Sequence, residues 1–188
     1  MKKIKVVILF GESCAGKDTI LDYCLKHMQD AKPMISCTTR QPRDGEVDGI
    51  NYHFISNVEF AEKVLNHTIV EATSWCGEFY GTPIETLEED KINIGVLDTV
   101  GVEAMMADSR LDVLPVYVAA SPKTRLLRYL KRETNPDCEK MCKRFLEDLE
   151  KFNDISFDYQ TFLNDDLMAG PTDFNEIVEI ISSFAQNV

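Results

Sequence analysis

An α/β fold built on a mostly parallel sheet is what this sequence predicts, on three observations. Ile4-Lys5-Val6-Val7-Ile8-Leu9-Phe10 is an aliphatic run of strand length, and a glycine-bounded turn follows it. Beyond the turn, Ile20, Leu21, Cys24, Leu25 and Met28 recur on one face of a helix. Two later apolar runs, Ile92 to Leu97 and Val113 to Ala119, read as further core strands. Strands that alternate with helices stack as layers around a parallel sheet, because each crossover has to return across a sheet face.

The other elements declare themselves by their ends. Ser56 with Glu59 and Asp173 with Glu176 have capping-box spacing, in which two otherwise orphaned N–H groups are satisfied reciprocally. Ser121-Pro122 and Asn135-Pro136 each set a capping residue before a first-turn proline, whose missing N–H costs nothing there. From about Ser36 to Thr82 the texture changes to shorter strands, polar turns and many Arg, Tyr and Thr. That stretch is expected to form a small subdomain inserted into the α/β core.

The chain has 188 residues, with 20 Lys plus Arg against 32 Asp plus Glu and a formal net charge of −12. One compact domain is expected at this length. A hydrophobic content of 44% with 28% charged residues excludes a disordered or membrane-embedded chain. The run Val6 to Phe10 is far short of the ~20 apolar residues of a spanning helix, and it is too short and too early for a signal peptide. The acidity argues against nucleic acid as a partner. Six cysteines (Cys14, Cys24, Cys37, Cys76, Cys138, Cys142) show no C-x-x-C spacing, and only three scattered histidines accompany them. Reduced thiols in a cytoplasmic protein are therefore expected, rather than a zinc site or a disulfide framework.

Gly11-Glu12-Ser13-Cys14-Ala15-Gly16-Lys17 fits G-x-x-x-x-G-K between the first strand and the first helix, the context a phosphate loop requires. Its N–H groups and the helix N-terminus favour phosphate oxygens, and Lys17 would reach the β- and γ-phosphates. The next position, commonly Ser or Thr for Mg²⁺, is Asp18, followed by Thr19. Asp18 would either meet Mg²⁺ through water or stabilise the helix N-terminus.

The segment Ser36-Cys37-Thr38-Thr39-Arg40-Gln41-Pro42-Arg43-Asp44-Gly45-Glu46, continuing through Gly49 to Tyr52-His53-Phe54, resembles the monophosphate-binding region of guanylate kinases at every fixed position of that pattern. The resemblance extends through the phosphate loop, Glu71, Tyr80-Gly81-Thr82, Leu97-Asp98, an arginine-bearing segment, and Phe157-Asp158-Tyr159 leading to Asn164-Asp165-Asp166-Leu167. It implies a P-loop NTPase three-layer α/β/α fold with a parallel core sheet, an inserted mixed-strand NMP-binding subdomain and a helical lid. The core would take about residues 1–35, 83–125 and 154–188, the NMP-binding subdomain about 36–82 and the lid about 126–153.

Arg40 and Arg43, three apart around a proline turn, can present two planar forks to one phosphate, and Tyr52 and Tyr80 can donate hydroxyls to it. The resemblance implies that Glu71 accepts from guanine N1–H and the 2-amino group, with Ser36 and Thr82 addressing other atoms of the base. Thr82-Pro83-Ile84-Glu85 is also a capping box, so a purely local role for Thr82 stands beside that one. Leu97-Asp98-Thr99-Val100-Gly101-Val102 is shorter by two than the common family pattern and keeps one acid of two. Asp98 is expected near GMP and, with Asp18, near Mg²⁺.

Arg128 and Arg132, one helical turn apart, match two lid arginines of the family, and Arg144 matches a third after a connection one residue longer than usual. Asn164 matches a contact to the adenine of ATP. The implied reaction is ATP-dependent phosphorylation of GMP or dGMP to the diphosphate by in-line transfer, with Lys17, Arg40, Arg43, Arg128, Arg132, Arg144 and Mg²⁺ neutralising charge. The alternatives are a broader virus-type deoxynucleoside monophosphate kinase and a non-catalytic guanylate-kinase-like module binding phosphorylated ligands. Small-molecule nucleotides are the expected partners, with no nucleic acid and no membrane, for a monomer or homodimer.

Overall fold

The computed structural model describes residues 2–75, 77–166 and 172–186, so Cys76 and Leu167 of the motifs above lie outside the described residues. The first half of the chain runs β1 (Ile4–Phe10), α1 (Lys17–His27), β2 (Ala31–Pro33), β3 (Cys37–Thr38), β4 (His53–Phe54), α2 (Asn57–Leu65), β5 (Ile69–Trp75) and β6 (Glu78–Pro83). After a 3₁₀ turn at Ile84–Thr86 come β7 (Ile92–Val96), α3 (Thr99–Ala107), β8 (Leu111–Ala119), α4 (Pro122–Arg132), α5 (Cys138–Lys151), β9 (Gln160–Leu163) and α6 (Asn175–Gln186).

Among the described residues, five strands form a sheet in the order β2-β7-β1-β8-β9, and every neighbouring pair is parallel. The alternation of β1 explains why both faces are covered. Val7 and Leu9 join Ile20 and Cys24 of α1 and Ile177 and Ile181 of α6. Val6, Ile8 and Phe10 point the other way, against Val102 and Met105 of α3. These side chains are almost all fully buried, each worth about 1.5–3 kcal/mol relative to exposure. The parallel α/β sheet expected from the alternation of elements, and the three-layer arrangement that the resemblance implies, are the ones observed.

A second sheet, ordered β4-β3-β6-β5, takes its strands from the stretch between Cys37 and Pro83. It is mixed, with β3 parallel to β4 and antiparallel to β6. Helix ends follow the predicted caps at two places. Ser56 Oγ accepts from Glu59 N–H, and Ser121 Oγ accepts from Thr124 N–H with Pro122 in the first turn. At α5 the expectation needs correction, because the cap is Asp137, two residues after Asn135, and its carboxylate accepts from Lys140 N–H at 2.9 Å. Asp173 Oδ1 accepts from Asn175 N–H at 2.9 Å, which opens α6 with an Asx turn. The sequence pattern missed β2 and β9, which are short strands with exposed, polar positions.

Candidate nucleotide site

The phosphate loop leaves the C-terminal end of the central strand and enters α1, whose N-cap is Gly16 at φ 95°. Glycine is needed there twice over, for the left-handed backbone and because a Cβ would collide with the Asn164 amide. Cys14, Gly16, Lys17, Asp18 and Thr19 line a cleft of about 340 Å³ together with Arg128 and Arg132 of α4. Lys17 Nζ donates to the carbonyls of Gly11 at 2.7 Å and Glu12 at 2.9 Å. Burial lowers its pKa from the ordinary lysine value, against the opposing pull of Asp18, Asp148 and Glu12.

Arg128 braces the inner limb of the loop. It donates to Ala15 O at 3.0 Å and to Asn164 O at 3.0 Å, and it pairs with Asp166 at 3.0 Å. Asn164 is buried beneath the loop, with Nδ2 donating to Ala15 O at 2.7 Å. Its side chain, read from the sequence as an adenine contact, is therefore turned toward the loop itself. Arg132 pairs with its neighbour Glu133 at 2.9 Å, and it lines a second, smaller cleft with the exposed Arg144.

Residues of the mixed sheet form a separate cluster. Arg40 makes a two-pronged pair with Glu46, NH1 to Oε2 and NH2 to Oε1, both at 2.9 Å. Its guanidinium stands 5.6 Å from the centre of the Tyr52 ring, which meets Tyr80 edge-on at 6.0 Å. Glu46 also accepts from Arg43 N–H at 2.7 Å, while the Arg43 side chain is exposed. The Arg40 hydrogen bond and the Arg43 N–H hold the Glu46 carboxyl below its ordinary pKa.

Deeper in the same sheet, Glu71 of β5 pairs in register with Thr82 of β6, next to an irregularity between Ile69 and Glu71. Gly81 allows that approach, since a Cβ there would lie 2.8 Å from the Glu71 carbonyl oxygen. Thr82 Oγ1 donates to Glu71 Oε1 at 2.7 Å and lies 3.0 Å from Ser36 Oγ. Thr82 does not cap a helix: the 3₁₀ turn that follows has Pro83 at its N-cap and no side-chain cap, and the Thr82 hydroxyl is turned to Glu71 instead. Glu71 is 7% exposed, and burial raises its pKa, reinforced by the charge of Asp98 and opposed by the Thr82 bond.

Asp98 sits just past β7 and caps α3, accepting from Gly101 N–H at 3.0 Å, and it pairs with Lys151 at 2.7 Å. Burial pushes its pKa up, but the bonds from Lys151 and Gly101 outweigh that and leave it below the ordinary value.

A family model described as guanylate kinase matches residues 3–183. This chain belongs to the guanylate kinase family. It is 31% identical over 181 residues to a guanylate kinase of Maricaulis maris, covering 92% of this chain and 81% of that relative. Guanylate kinases of Mycoplasma mycoides and Mycoplasma capricolum are 33% and 31% identical over 148 and 173 residues. The chain spans 50% and 58% of their lengths. Among solved structures, guanylate kinase from Anaplasma phagocytophilum superposes with a TM-score of 0.62 at 20% identity, over 99% of this chain and 87% of that one, which establishes a shared fold. Among the described residues no helix is long and apolar enough to cross a membrane.

Sequence reasoning did not single out Glu46 as the holder of Arg40, nor Arg125 and Asp148. Arg125 was visible in principle. It precedes Arg128 by three and Arg132 by seven, and so falls on the same helical stripe.

Proposed function

We propose that this chain transfers the terminal phosphoryl group of ATP to GMP or dGMP, releasing ADP and the guanosine diphosphate. The observation that carries the reading is the Glu71–Thr82–Ser36 set, in which Glu71 and Thr82 are buried and Ser36 is half-buried. It offers a carboxylate and two hydroxyls where guanine has N1–H, a 2-amino group and O6. Among the described residues no Lys or Arg pairs with Glu71; Oε1 accepts from Thr82 Oγ1, which leaves Oε2 and the second lone pair of Oε1 to a ligand. Adenine lacks both donors and would leave buried acceptors unmatched, a penalty that supports discrimination of up to ~10⁴-fold.

The division of labour follows from the two clusters. Residues of about 36–82 act as the monophosphate-binding subdomain, where Arg40 and Arg43 hold the GMP phosphate and Tyr52 and Tyr80 orient it. Residues of about 126–153 act as the lid over a core of about 1–35, 83–125 and 154–188. Gly11 to Thr19 cradle the ATP phosphates, and Asn164 fixes the loop beneath them. Lys17, Arg128, Arg132 and Arg144 neutralise charge that spreads over the transferring group. Excluding water as the lid closes keeps ATP from being spent on hydrolysis.

No cluster of three or more acidic, His or Cys side chains able to cage a metal exists among the described residues. The donor set instead suits a Mg²⁺ ion that arrives on ATP, with most of its ligands from phosphate and water. Asp18, in the cleft wall, is the side chain that would hold it, whereas both oxygens of Asp98 are engaged by Gly101 and Lys151. Such an ion would supply charge neutralisation between the phosphates. A cytoplasmic setting fits these soluble substrates. The relatives named above are all guanylate kinases, which favours neither a broader deoxynucleotide kinase nor a non-catalytic module.

Glu71→Gln tests the reading. Gln presents one acceptor oxygen and a donating NH₂ in place of a carboxylate, so kcat/KM for GMP should fall about 10-fold or more. An unchanged value would remove Glu71 from the base site.

A further inference from the structure

Arg125 lies behind the phosphate loop and does not line the cleft that Arg128 and Arg132 enter. It lies on α4, and at 1% side-chain exposure it heads the fully buried side chains by volume. Its NH2 pairs with Glu12 Oε1 at 2.9 Å and its NH1 with Asp148 Oδ2 of α5 at 3.1 Å. The guanidinium also stands 4.3 Å from the centre of the Phe145 ring. Both carboxylates have further duties. Glu12 Oε2 accepts from Tyr117 of β8 at 3.1 Å. Asp148 accepts from Ser13 N–H at 2.8 Å and from Ser13 Oγ at 3.3 Å.

Residues 12 and 13 are thus gripped from behind by β8, α4 and α5, while Cys14 and residues 16–19 face the cleft. A carboxylate at position 12 beside a polyphosphate is repulsive by itself. Here both of its oxygens are tied down on the far side. Arg128 and Arg132 follow Arg125 on the same stripe, so burying Arg125 also fixes where those two enter the cleft.

We infer that Arg125, with Glu12 and Asp148, is a positioning residue for phosphoryl transfer: it sets the outer limb of the phosphate loop and the rotation of the lid helix that carries Arg128 and Arg132. Arg125 touches no substrate. The assignment rests on the proposed function for its kinetic consequence, but not for its effect on nucleotide binding.

The test uses the full chain and reads three quantities: calorimetric ADP and GMP affinities, steady-state kcat with ATP and GMP, and Tm. Arg125→Met should weaken ADP at least tenfold and lower kcat at least tenfold well below its Tm, with GMP affinity within twofold of wild type. Arg125→Lys keeps one charge but no fork and should fall between. Adding Glu12→Gln and Asp148→Asn to Arg125→Met removes the stranded carboxylates and should restore Tm without restoring kcat. Asp148→Asn alone gives the sharpest sign. Loss of a negative charge near a polyphosphate would tighten ADP by electrostatics, whereas loss of the bracket should weaken it at least threefold.

A folded Arg125→Met with ADP affinity and kcat within twofold of wild type overturns the inference, as does a kcat that recovers in step with Tm in the triple variant. If Arg125→Met does not fold, unchanged or tighter ADP binding by Asp148→Asn overturns it instead. A wild-type chain that binds ADP but never phosphorylates GMP defeats the functional reading and leaves the ADP comparisons able to decide this one.

Discussion

Arg125 and Arg40 both lean on carboxylates, and the difference between their surroundings separates two uses of the same side chain. Arg125 is shared by two acids, covered by Phe145 and closed to solvent. Arg40 has one acid, Glu46, with side-chain exposures of 14% and 19% for the pair, and the open Arg43 beside it. A buried charge that lost a partner would be stranded at high cost, so Arg125 is fixed in place. The Arg40–Glu46 pair is only partly covered and rests on a single acid, so under the proposed function Arg40 can exchange Glu46 for an incoming phosphate while Glu46 keeps its bond from Arg43 N–H. On the proposed function, the loop is held by a closed network of buried charge, and the clamp by one ion pair that a phosphate can replace.

That contrast can be broken most strongly at Lys17, where the loop meets the cleft. Lys17→Met should lower kcat by about 10²–10³-fold, the usual cost of losing one preorganised donor to developing charge. The same variant should be more stable than wild type at neutral pH. Burial lowers the Lys17 pKa, so the folded state holds this proton more weakly than the unfolded chain does. The penalty is present in full below the folded pKa and fades as pH rises from there toward the ordinary lysine value of 10.5. A Tm gain for Lys17→Met that vanishes at high pH is the expected result, read by thermal melts across pH.

At the clamp the expected effects are smaller. Arg40→Lys keeps the charge but not the planar fork, and should raise KM for GMP by about 10-fold with little change in KM for ATP. Glu46→Gln should raise the GMP KM only a few-fold, since it loosens the aim of Arg40 without removing it. Equal effects of the two variants on ATP and GMP would mean that the two regions are not separable. Steady-state titration of each nucleotide against a saturating partner makes the comparison.

Much of this was legible in the sequence because the informative residues sit in fixed spacings. The β1 run, the glycines and Lys17 specify strand, turn and helix start in order, and the alternation of Val6 to Phe10 dictates a sheet covered on both faces. The cluster of Arg40, Tyr52 and Tyr80 could be foreseen from the Ser36–Phe54 motif, which contains the first two, together with the separate Tyr80-Gly81-Thr82 match. What escaped were partnerships across distance. Arg125 and Asp148 are 23 residues apart on different helices, and each alone reads as a solvated charge on an amphipathic surface. Only the packing of α4 and α5 against the loop turns them inward. Thr82 shows the same limit, since capping box and pocket hydroxyl demand the same residue. What decides against the cap is the pairing of β5 with β6, which sets Thr82 opposite Glu71, with their side chains 2.7 Å apart. The start of α5 slipped by two residues because Asp137 and Asn135 are both competent caps around one proline.

The most direct test of the functional account is a coupled ADP-release assay of the wild-type chain with ATP and Mg²⁺ over GMP, dGMP, IMP, AMP, CMP and dTMP. IMP keeps N1–H and O6 but lacks the 2-amino group, so it isolates one of the two bonds assigned to Glu71. The account predicts the highest kcat/KM for GMP and dGMP, a loss of about 10-fold or more for IMP, and AMP lower still. Turnover of GMP no better than that of AMP, CMP or dTMP would contradict it.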